Sequence, residues 1–119
     1  MHTVSLREKF GKFHDYWNPR VIGEVNECQV KVVKLKGEFI WHHHDHEDEL
    51  FLVVQGTLRM KFRDHEAVVR EGEFVVVPHG VEHCPVADEE VHVVLIEPRT
   101  TLNTGNIENG RTVRQLERI

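Results

Sequence analysis

A period of two runs through most of the chain from residue 20 onward. In segment 57–63, T-L-R-M-K-F-R, apolar and polar residues alternate strictly, as they do in a strand with one buried face. Segments 50–54 (L-F-L-V-V) and 74–77 (F-V-V-V) are apolar throughout, which is typical of strands buried on both faces. Turn residues separate such segments about every ten positions. The sequence therefore predicts an all-β protein of about eight or nine short strands, in a sandwich or a barrel.

The first strands of this region are predicted to form a hairpin. Segments 21–25 and 28–36 are joined by Asn26-Glu27, which has the length of a tight two-residue turn. Near the end of the region, two further strands are predicted at residues 83–86 and 91–97, and Pro98 closes the second of them.

The N-terminus departs from the period of two. Three apolar residues recur there at helical spacing: Leu6, Phe10 and Phe13. Ser5 and Glu8 have the spacing of a capping box, and Asn18-Pro19 is a stop signal. A short amphipathic helix is therefore predicted over residues 1–18, and we expect it to cover one end of the β core.

Length and composition narrow the class of protein. With 119 residues the chain is expected to form a single domain, 1–119. The formal net charge of −5, with acids and bases interspersed, argues against a nucleic-acid-binding surface. No apolar run reaches the length of a membrane span, and the first ten residues lack the apolar core of a signal peptide. Cys28 and Cys84 are too few for a disulfide framework, so we expect reduced thiols and a cytoplasmic protein.

Histidine is the outlier in this composition, and four of the ten histidines lie in segment 41–56, W-H-H-H-D-H-E-D-E-L-F-L-V-V-Q-G. The segment packs imidazoles and carboxylates together immediately before an apolar run. If a strand begins here, His42 and His44 point to the same face, because they are two residues apart. Two imidazoles in that arrangement can bind one metal ion.

The same logic adds a carboxylate and a more distant histidine. Glu49 shares its face with Phe51 and Val53, and a carboxylate among buried apolar side chains is unfavourable unless a cation compensates it. His83 is the candidate for a fourth ligand, because it follows the tight turn 78–80 and begins a strand. Three imidazoles and one carboxylate suit iron, manganese, nickel, zinc or copper alike. We therefore predict one divalent transition-metal ion per chain, bound by His42, His44, Glu49 and His83.

These residues also match a known family, because the chain resembles the cupin superfamily, specifically single-domain bacterial cupins labelled mannose-6-phosphate isomerase-like. The first cupin motif is G-x5-H-x-H-x(3,4)-E-x6-G, and His42, His44, Glu49 and Gly56 fit it. The second is G-x5-P-x-G-x2-H-x3-N. It is matched by four residues: Gly72, Pro78, Gly80 and His83.

The resemblance has two departures within residues 37–87, the part of the chain that carries both motifs. Gly37 lies one residue too close to His42, which affects only how that strand begins. Ala87 replaces the usual Asn, which puts the role of that Asn in doubt but leaves the metal ligands in place. The resemblance implies a double-stranded β-helix, or jelly-roll barrel, with the site in its mouth.

Three other histidines are also near the motifs and have to be considered as metal ligands. His46 shares parity with His42 and His44, but it lies too close to Glu49 for the family spacing, so we interpret it as a rim residue. His43 should face away from the site, and His79 in the P-x-G turn should also lie on the rim. A His-rich tract of this kind could alternatively collect nickel or zinc adventitiously.

Two classes of function remain open from the sequence. The resemblance implies an enzyme, commonly a dioxygenase, isomerase or lyase, acting on a small organic substrate. The alternative is a non-catalytic module that binds a metal or a small ligand. Five residues are expected to face the barrel interior and make it suit a mostly apolar substrate: Ile40, Phe51, Val53, Phe74 and Val76. No Arg or Lys is expected inside, which disfavours a phosphosugar.

The C-terminal tail, residues 99–119, is polar and turn-rich at first and ends in R-T-V-R-Q-L-E-R-I. This ending is expected to add a last short strand or to pack on a partner chain. Because small barrels often pair exposed edge strands between chains, we expect a homodimer formed through residues 21–25 or through the tail.

Overall fold

Seven antiparallel strands and one short helix make up the protein in a computed structural model that describes residues 1–119. The elements are α1 (Leu6–Phe10), β1 (Arg20–Val25), β2 (Cys28–Glu38), β3 (Glu49–Gln55), β4 (Leu58–Phe62), β5 (Glu66–Val69), β6 (Phe74–Val77) and β7 (His83–Pro98). The all-β prediction is confirmed. The expected eight or nine strands become seven, partly because the two strands predicted at 83–86 and 91–97 form one continuous strand, β7.

The fold has two layers, and strand β7 is long enough to take part in both. Its second half pairs with β2 and β3, in a sheet of order β1-β2-β7-β3-β6. Its first half pairs with the end of β2 and with β4, which in turn pairs with β5. The side chains enclosed by the two layers form one apolar core: Val33, Leu35, Phe51, Val53, Leu58, Met60, Val69, Val77, Ala87, Val91, Val93 and Leu95.

The predicted hairpin is confirmed, but its second strand is more deeply buried than expected. Val25 pairs with Cys28, so Asn26-Glu27 forms the two-residue turn. Lys31 points into the core, 1% exposed, on the same face as Val33 and Leu35. The expectation that no lysine lies inside is therefore wrong. Lys31 can be buried because a carboxylate of β7 faces it, as described below.

The N-terminal helix exists but is much shorter than expected. It spans Leu6–Phe10 and ends at Gly11, not at Asn18-Pro19. Ser5 caps it as predicted, accepting a hydrogen bond of 3.2 Å from the backbone N–H of Glu8. With Phe13, the helix packs on the outer face of the sheet against Val32 and Val94, and does not cover the end of the core.

Strand β6 faces the opposite way from the prediction. Phe74 and Val76 are 61% and 46% exposed, whereas Val77 is buried and Val75 packs against the core. The strand lies at the edge of its sheet and only one of its faces is covered. An all-apolar strand carries no signal for which face that is, and an error of one residue reverses every side chain.

The C-terminal tail forms no strand of its own. It returns to β1, where Arg118 makes an isolated parallel bridge with Val21. Backbone N–H groups of Val21 and Ile119 donate across this bridge, at 2.9 and 3.1 Å. Part of the edge predicted to meet a second chain is therefore covered by the same chain. The one helix has five residues, and no helix is long and apolar enough to cross a membrane.

Candidate metal site

The four predicted site residues converge in the interior. Ligand atoms of His42, His44, Glu49 and His83 lie within 4.8 Å of one another, and each residue is at most 4% exposed. The structure thus brings together two neighbouring histidines, the first residue of β3 and the first residue of β7. This constellation could bind a metal ion. That the four residues do act as ligands remains a prediction.

The two histidines of the first motif are held differently from the prediction. They do not lie in a strand, because no strand is formed between β2 and β3. Instead, His42 makes an isolated antiparallel bridge with His83. The expected alternation still holds across this bridge, since His42 and His44 are buried whereas the side chain of His43 is 28% exposed.

Backbone carbonyls orient two of the imidazoles. Nδ1 of His42 lies 2.9 Å from the carbonyl oxygen of Ile40, and Nδ1 of His83 lies 2.9 Å from that of Val81. A carbonyl can only accept, so each Nδ1 carries the proton and donates it. Each Nε2 then has a free lone pair, which is the tautomer that a metal-binding histidine needs.

The surroundings of His44 indicate whether a metal ion would fit among these residues. Its Nε2 lies 2.8 Å from Oε1 of Glu49, but without the geometry of a hydrogen bond, so this buried nitrogen has no hydrogen-bond partner. Nε2 of His83 lies 3.2 Å from the same oxygen. Three imidazole nitrogens around one carboxylate, one of them unsatisfied, are a donor set that suits a first-row divalent ion.

The electrostatics of the cluster also favour ligand-competent states. Burial, and next the nearby His83, lowers the pKa of His42 to about 4, so its ring is neutral at neutral pH. Burial alone would raise the pKa of Glu49, but the adjoining Glu97, His44 and His83 groups outweigh burial and hold it well below its ordinary value. A neutral imidazole and an ionised carboxylate are the forms that bind metals.

A buried ion pair beside the cluster was missed by the sequence interpretation. Nζ of Lys31 lies 2.7 Å from Oε1 of Glu97, and both side chains are at most 3% exposed. Burial and the negative charge of Glu49 raise the pKa of Glu97 well above its ordinary value. Strand parity could have indicated both residues, because each continues an inward-facing apolar row: Lys31 with Val33, and Glu97 with Leu95.

A cavity adjoins the four-residue cluster. Its empty volume is about 430 Å³, a figure that includes open solvent at its mouth. His42, Glu49 and Glu97 contribute the ionisable groups of its lining, and most of the remaining lining is apolar or aromatic. Phe51 lines it as predicted, whereas Phe74 and Val76 face solvent on the other side of the sheet.

The tail fixes the backbone of the histidine segment, which the sequence did not indicate. The N–H of Asn106 donates to the carbonyl of His43, and Oδ1 of Asn106 accepts from the N–H of His43, both at 2.9 Å. A Cβ at Gly105 would lie 2.2 Å from the carbonyl oxygen of His43. A polar, turn-rich segment gives no sign of which other loop it will contact.

The three other histidines of segments 41–56 and 78–80 lie outside the converging group. Nε2 of His43 lies 3.0 Å from Oδ1 of Asp45, away from the cluster. His46 is exposed and is not among the converging residues. His79 is exposed too, and both its N–H and its Nδ1 contact Asp48.

Known proteins confirm the family. The cupin-domain model Cupin_2 matches residues 30–97, more than half of the chain. The chain belongs to the cupin family. A cupin-2 domain protein from Shewanella frigidimarina of known crystal structure is 48% identical, with a TM-score of 0.80, over 81% of this cupin and 94% of that chain.

Two further relatives are matched over part of their length. The uncharacterized protein YdbB of Bacillus subtilis (strain 168) is 41% identical over 80 residues, which are 66% of this cupin and 65% of that protein. Mannose-1-phosphate guanylyltransferase of Salmonella montevideo is 34% identical over 74 residues, 60% of this cupin but 16% of that enzyme. This cupin thus spans only a part of either relative.

Proposed function

We propose that this cupin binds one divalent transition-metal ion through His42, His44, Glu49 and His83, and takes up a small, mostly apolar organic molecule in the adjacent cavity. The observation that carries the proposal is the convergence of buried imidazoles on one carboxylate, with the Nε2 of His44 left unsatisfied. Iron, manganese, nickel, zinc and copper all suit this donor set.

An enzyme is the first form of this proposal, of the dioxygenase, isomerase or lyase type. A bound ion would supply Lewis-acid polarisation of a carbonyl or enediol oxygen. The residues of the chain would bind and orient the substrate. Apolar walls would exclude water from it, and His42 and Glu49 line both the cluster and the cavity, so a substrate there would lie beside the ligands.

A non-catalytic binding module is the second form of the proposal. Outside the four-residue cluster, the cavity lining offers one ionisable side chain, Glu97, and that carboxyl group is already engaged by Lys31. A site with so few free polar groups suits recognition at least as well as proton transfer. Turnover of a phenol, diketone or keto-sugar by the iron- or manganese-loaded protein would show that it is an enzyme and not a non-catalytic module.

A phosphosugar is not the substrate we propose, despite the partial match to a mannose-1-phosphate guanylyltransferase. A phosphate group needs a free cation or a cluster of N–H donors. The one ammonium group directed into the core, that of Lys31, is paired with Glu97 and does not line the cavity.

We also propose that the protein is a cytoplasmic homodimer. Both cysteines, Cys28 and Cys84, are free thiols, as a reducing compartment requires. The outer face of β6, with Phe74 and Val76, carries exposed apolar side chains at a sheet edge, where a second copy could cover them.

The metal proposal is tested with untagged, chelator-treated protein that is reloaded with a limiting amount of one ion and analysed for metal. About one ion per chain is expected, and His83→Ala should lose it. His79→Ala is the matched control, because His79 is exposed on the rim and lies outside the cluster. The four-residue site would be contradicted if His83→Ala still bound one metal ion per chain. It would also be contradicted if the metal were lost only when residues 43 and 46 are substituted.

A further inference from the structure

Residues 103–113 of the C-terminal tail form a loop with its own hydrogen bonds, which we call the tail loop. Side-chain bonds tie its start to its end: Asn103 to Arg111 and Val113, and Thr104 to Thr112. The amide of Asn103 donates to the carbonyl of Arg111 and accepts from the N–H of Val113, both at 2.8 Å. Because these bonds close the loop on itself, it can dock on the protein, or leave it, as one unit.

The tail loop docks mainly on the backbone of the histidine segment. Apart from bonds within the tail, three hydrogen bonds join it to the protein: two between Asn106 and His43, and one from the guanidinium of Arg111 to the carbonyl of Glu38. The two bonds of Asn106 are 2.9 Å long and engage both backbone groups of His43. His43 lies between His42 and His44, so the docking contact is made with the backbone that carries two of the four candidate ligands.

The position of this backbone depends on contacts with other parts of the chain, because no strand is formed between β2 and β3. His42 is bonded to the backbone of His83, and the carbonyl of His44 accepts from the N–H of Gly80 at 2.7 Å. An ion bound by all four candidate ligands would tie residues 42–44 to β3 and β7 as well. Without an ion, the cluster buries a carboxylate among imidazoles, which costs free energy, so opening of the segment to water becomes more favourable.

A metal ion and the tail loop therefore restrain the same three residues from two sides. The side chains of His42 and His44 converge on the cluster, and both backbone groups of His43 are bonded to the loop. An ion that fixes the two rings removes conformational freedom that the loop must otherwise remove when it docks, so each favours the other. By thermodynamic linkage, the docked loop strengthens metal binding by the same factor by which the ion strengthens docking.

The docked loop also supplies part of the cavity wall. Asn103 is one of the residues that line the cavity. Cζ of Arg111 lies 5.4 Å from the ring centroid of Phe39, which lines the cavity too. An undocked loop would leave the cavity open at Asn103 and the Phe39 ring without this contact.

We propose that the tail loop is a metal-responsive wall of the ligand cavity, which docks through Asn106 and His43 when an ion is bound. Asn106 is the positioning residue that couples the loop to the metal ligands. This inference rests on the proposed function, because it uses the same four ligands and the same cavity. The cavity wall is then complete only in the metal-loaded protein.

Hydrogen–deuterium exchange of the full chain tests this coupling. Exchange in residues 103–113 is measured by mass spectrometry in the chelator-treated protein, and again after one equivalent of Zn²⁺ is added. The ion should slow exchange in the tail loop by about tenfold, within the roughly 5–150-fold range of such couplings. Strand β5 (Glu66–Val69), which pairs only with β4, is the internal reference, because a general stabilisation of the fold would slow its exchange as well.

Substitution of Asn106 tests the same coupling from the side of the loop. Asn106→Ala removes the acceptor for the N–H of His43, so it should weaken Zn²⁺ binding by about fivefold or more in competition with a chelator. Asn106→Asp keeps an acceptor at this position and should restore the effect of the ion on loop exchange. Asn18→Ala is the matched control, because the amide of Asn18 donates to Asp15, and it should leave both measurements unchanged.

Three results would overturn the proposal in a protein that binds the ion: no slowing of exchange in the tail loop, equal slowing in the tail loop and β5, or wild-type Zn²⁺ affinity in Asn106→Ala. The exchange comparison uses the wild type alone, so it is decisive even if Asn106→Ala fails to fold. A wild type that binds no ion at the four residues would refute the metal site itself, and the coupling with it. A bound ion without an effect on the loop would refute the coupling alone.

Discussion

His42 and His83 exchange two backbone hydrogen bonds, of 3.0 and 2.9 Å, although forty residues of sequence lie between them. Their ring centroids are consequently 4.3 Å apart. Each ring also donates Nδ1–H to the carbonyl two residues before it. Position and tautomer of both rings are thus fixed by the backbone, so the candidate ligands are preorganised.

Gly105 is expected to be essential for this preorganisation. Its φ of +57° is unfavourable for other residues, and a Cβ there would lie 2.2 Å from the carbonyl oxygen of His43. Gly105→Ala should displace the histidine segment, weaken metal binding by about tenfold or more, and lower the free energy of unfolding by about 2–3 kcal/mol. Gly110→Ala is the control, because no atom lies within 4 Å of its added Cβ. Metal titration and urea unfolding of the two variants measure both effects. Equal metal affinity and equal stability of Gly105→Ala and Gly110→Ala would contradict the steric role of Gly105.

The buried Lys31–Glu97 pair predicts an asymmetry between single and double substitution. Lys31→Met leaves Glu97 buried without its cation and should cost about 3–5 kcal/mol of stability. Lys31→Met/Glu97→Leu removes both charges and should lie within about 1–2 kcal/mol of the wild type. Urea unfolding of the wild type, of the single variants Lys31→Met and Glu97→Leu, and of the double variant completes a double-mutant cycle. Additive effects of the two single substitutions would show that the pair is not coupled.

The stability of the metal-free protein should fall as pH decreases through the range set by His42. Its pKa is about 4 in the folded protein and 6.5 in the unfolded chain, so between these values the unfolded chain binds the extra proton. Titration of His42 should leave the free energy of unfolding unchanged well above pH 6.5. It should lower this free energy by about 2 kcal/mol at pH 5 and by about 3 kcal/mol near pH 4. His42→Gln cannot titrate and should lose correspondingly less stability in urea unfolding between pH 7 and pH 5. An identical pH dependence in both proteins would show that burial does not depress this pKa.

Strand parity and motif spacing were sufficient to predict the fold class and the four converging residues. Both depend on local rules: Glu49 aligns with Phe51 and Val53 within one strand, and the spacing of the motifs is set by strand and turn lengths. The same rules were insufficient for β6, because an all-apolar strand at a sheet edge does not encode which face is covered. The prediction that Phe74 and Val76 face inward is wrong for this reason.

The features that the sequence did not predict depend on contacts between distant segments. Lys31 is buried because Glu97 faces it from β7, and a lysine in an alternating strand otherwise indicates a solvent face. The contact of Asn106 with His43 joins two irregular segments, for which no periodicity exists. In both cases the environment depends on a partner. Strand parity can place Lys31 and Glu97 in inward-facing rows, but it does not indicate that the two residues pair.

The outer face of β6 should mediate dimer formation. Phe74 is 61% exposed at the edge of the sheet, next to Val76, which pairs with Leu50 on β3. The edge of β1, which was the expected contact, is partly covered by residues 117–119 of the same chain. We therefore expect sedimentation of a dimer at micromolar concentration, and of a monomer for Phe74→Glu, because a buried unpaired carboxylate would oppose association. Val68→Glu, on β5 and 41% exposed, is the matched control and should remain dimeric. A monomeric wild type would exclude the dimer, whereas a dimer that persists in Phe74→Glu would place the interface elsewhere.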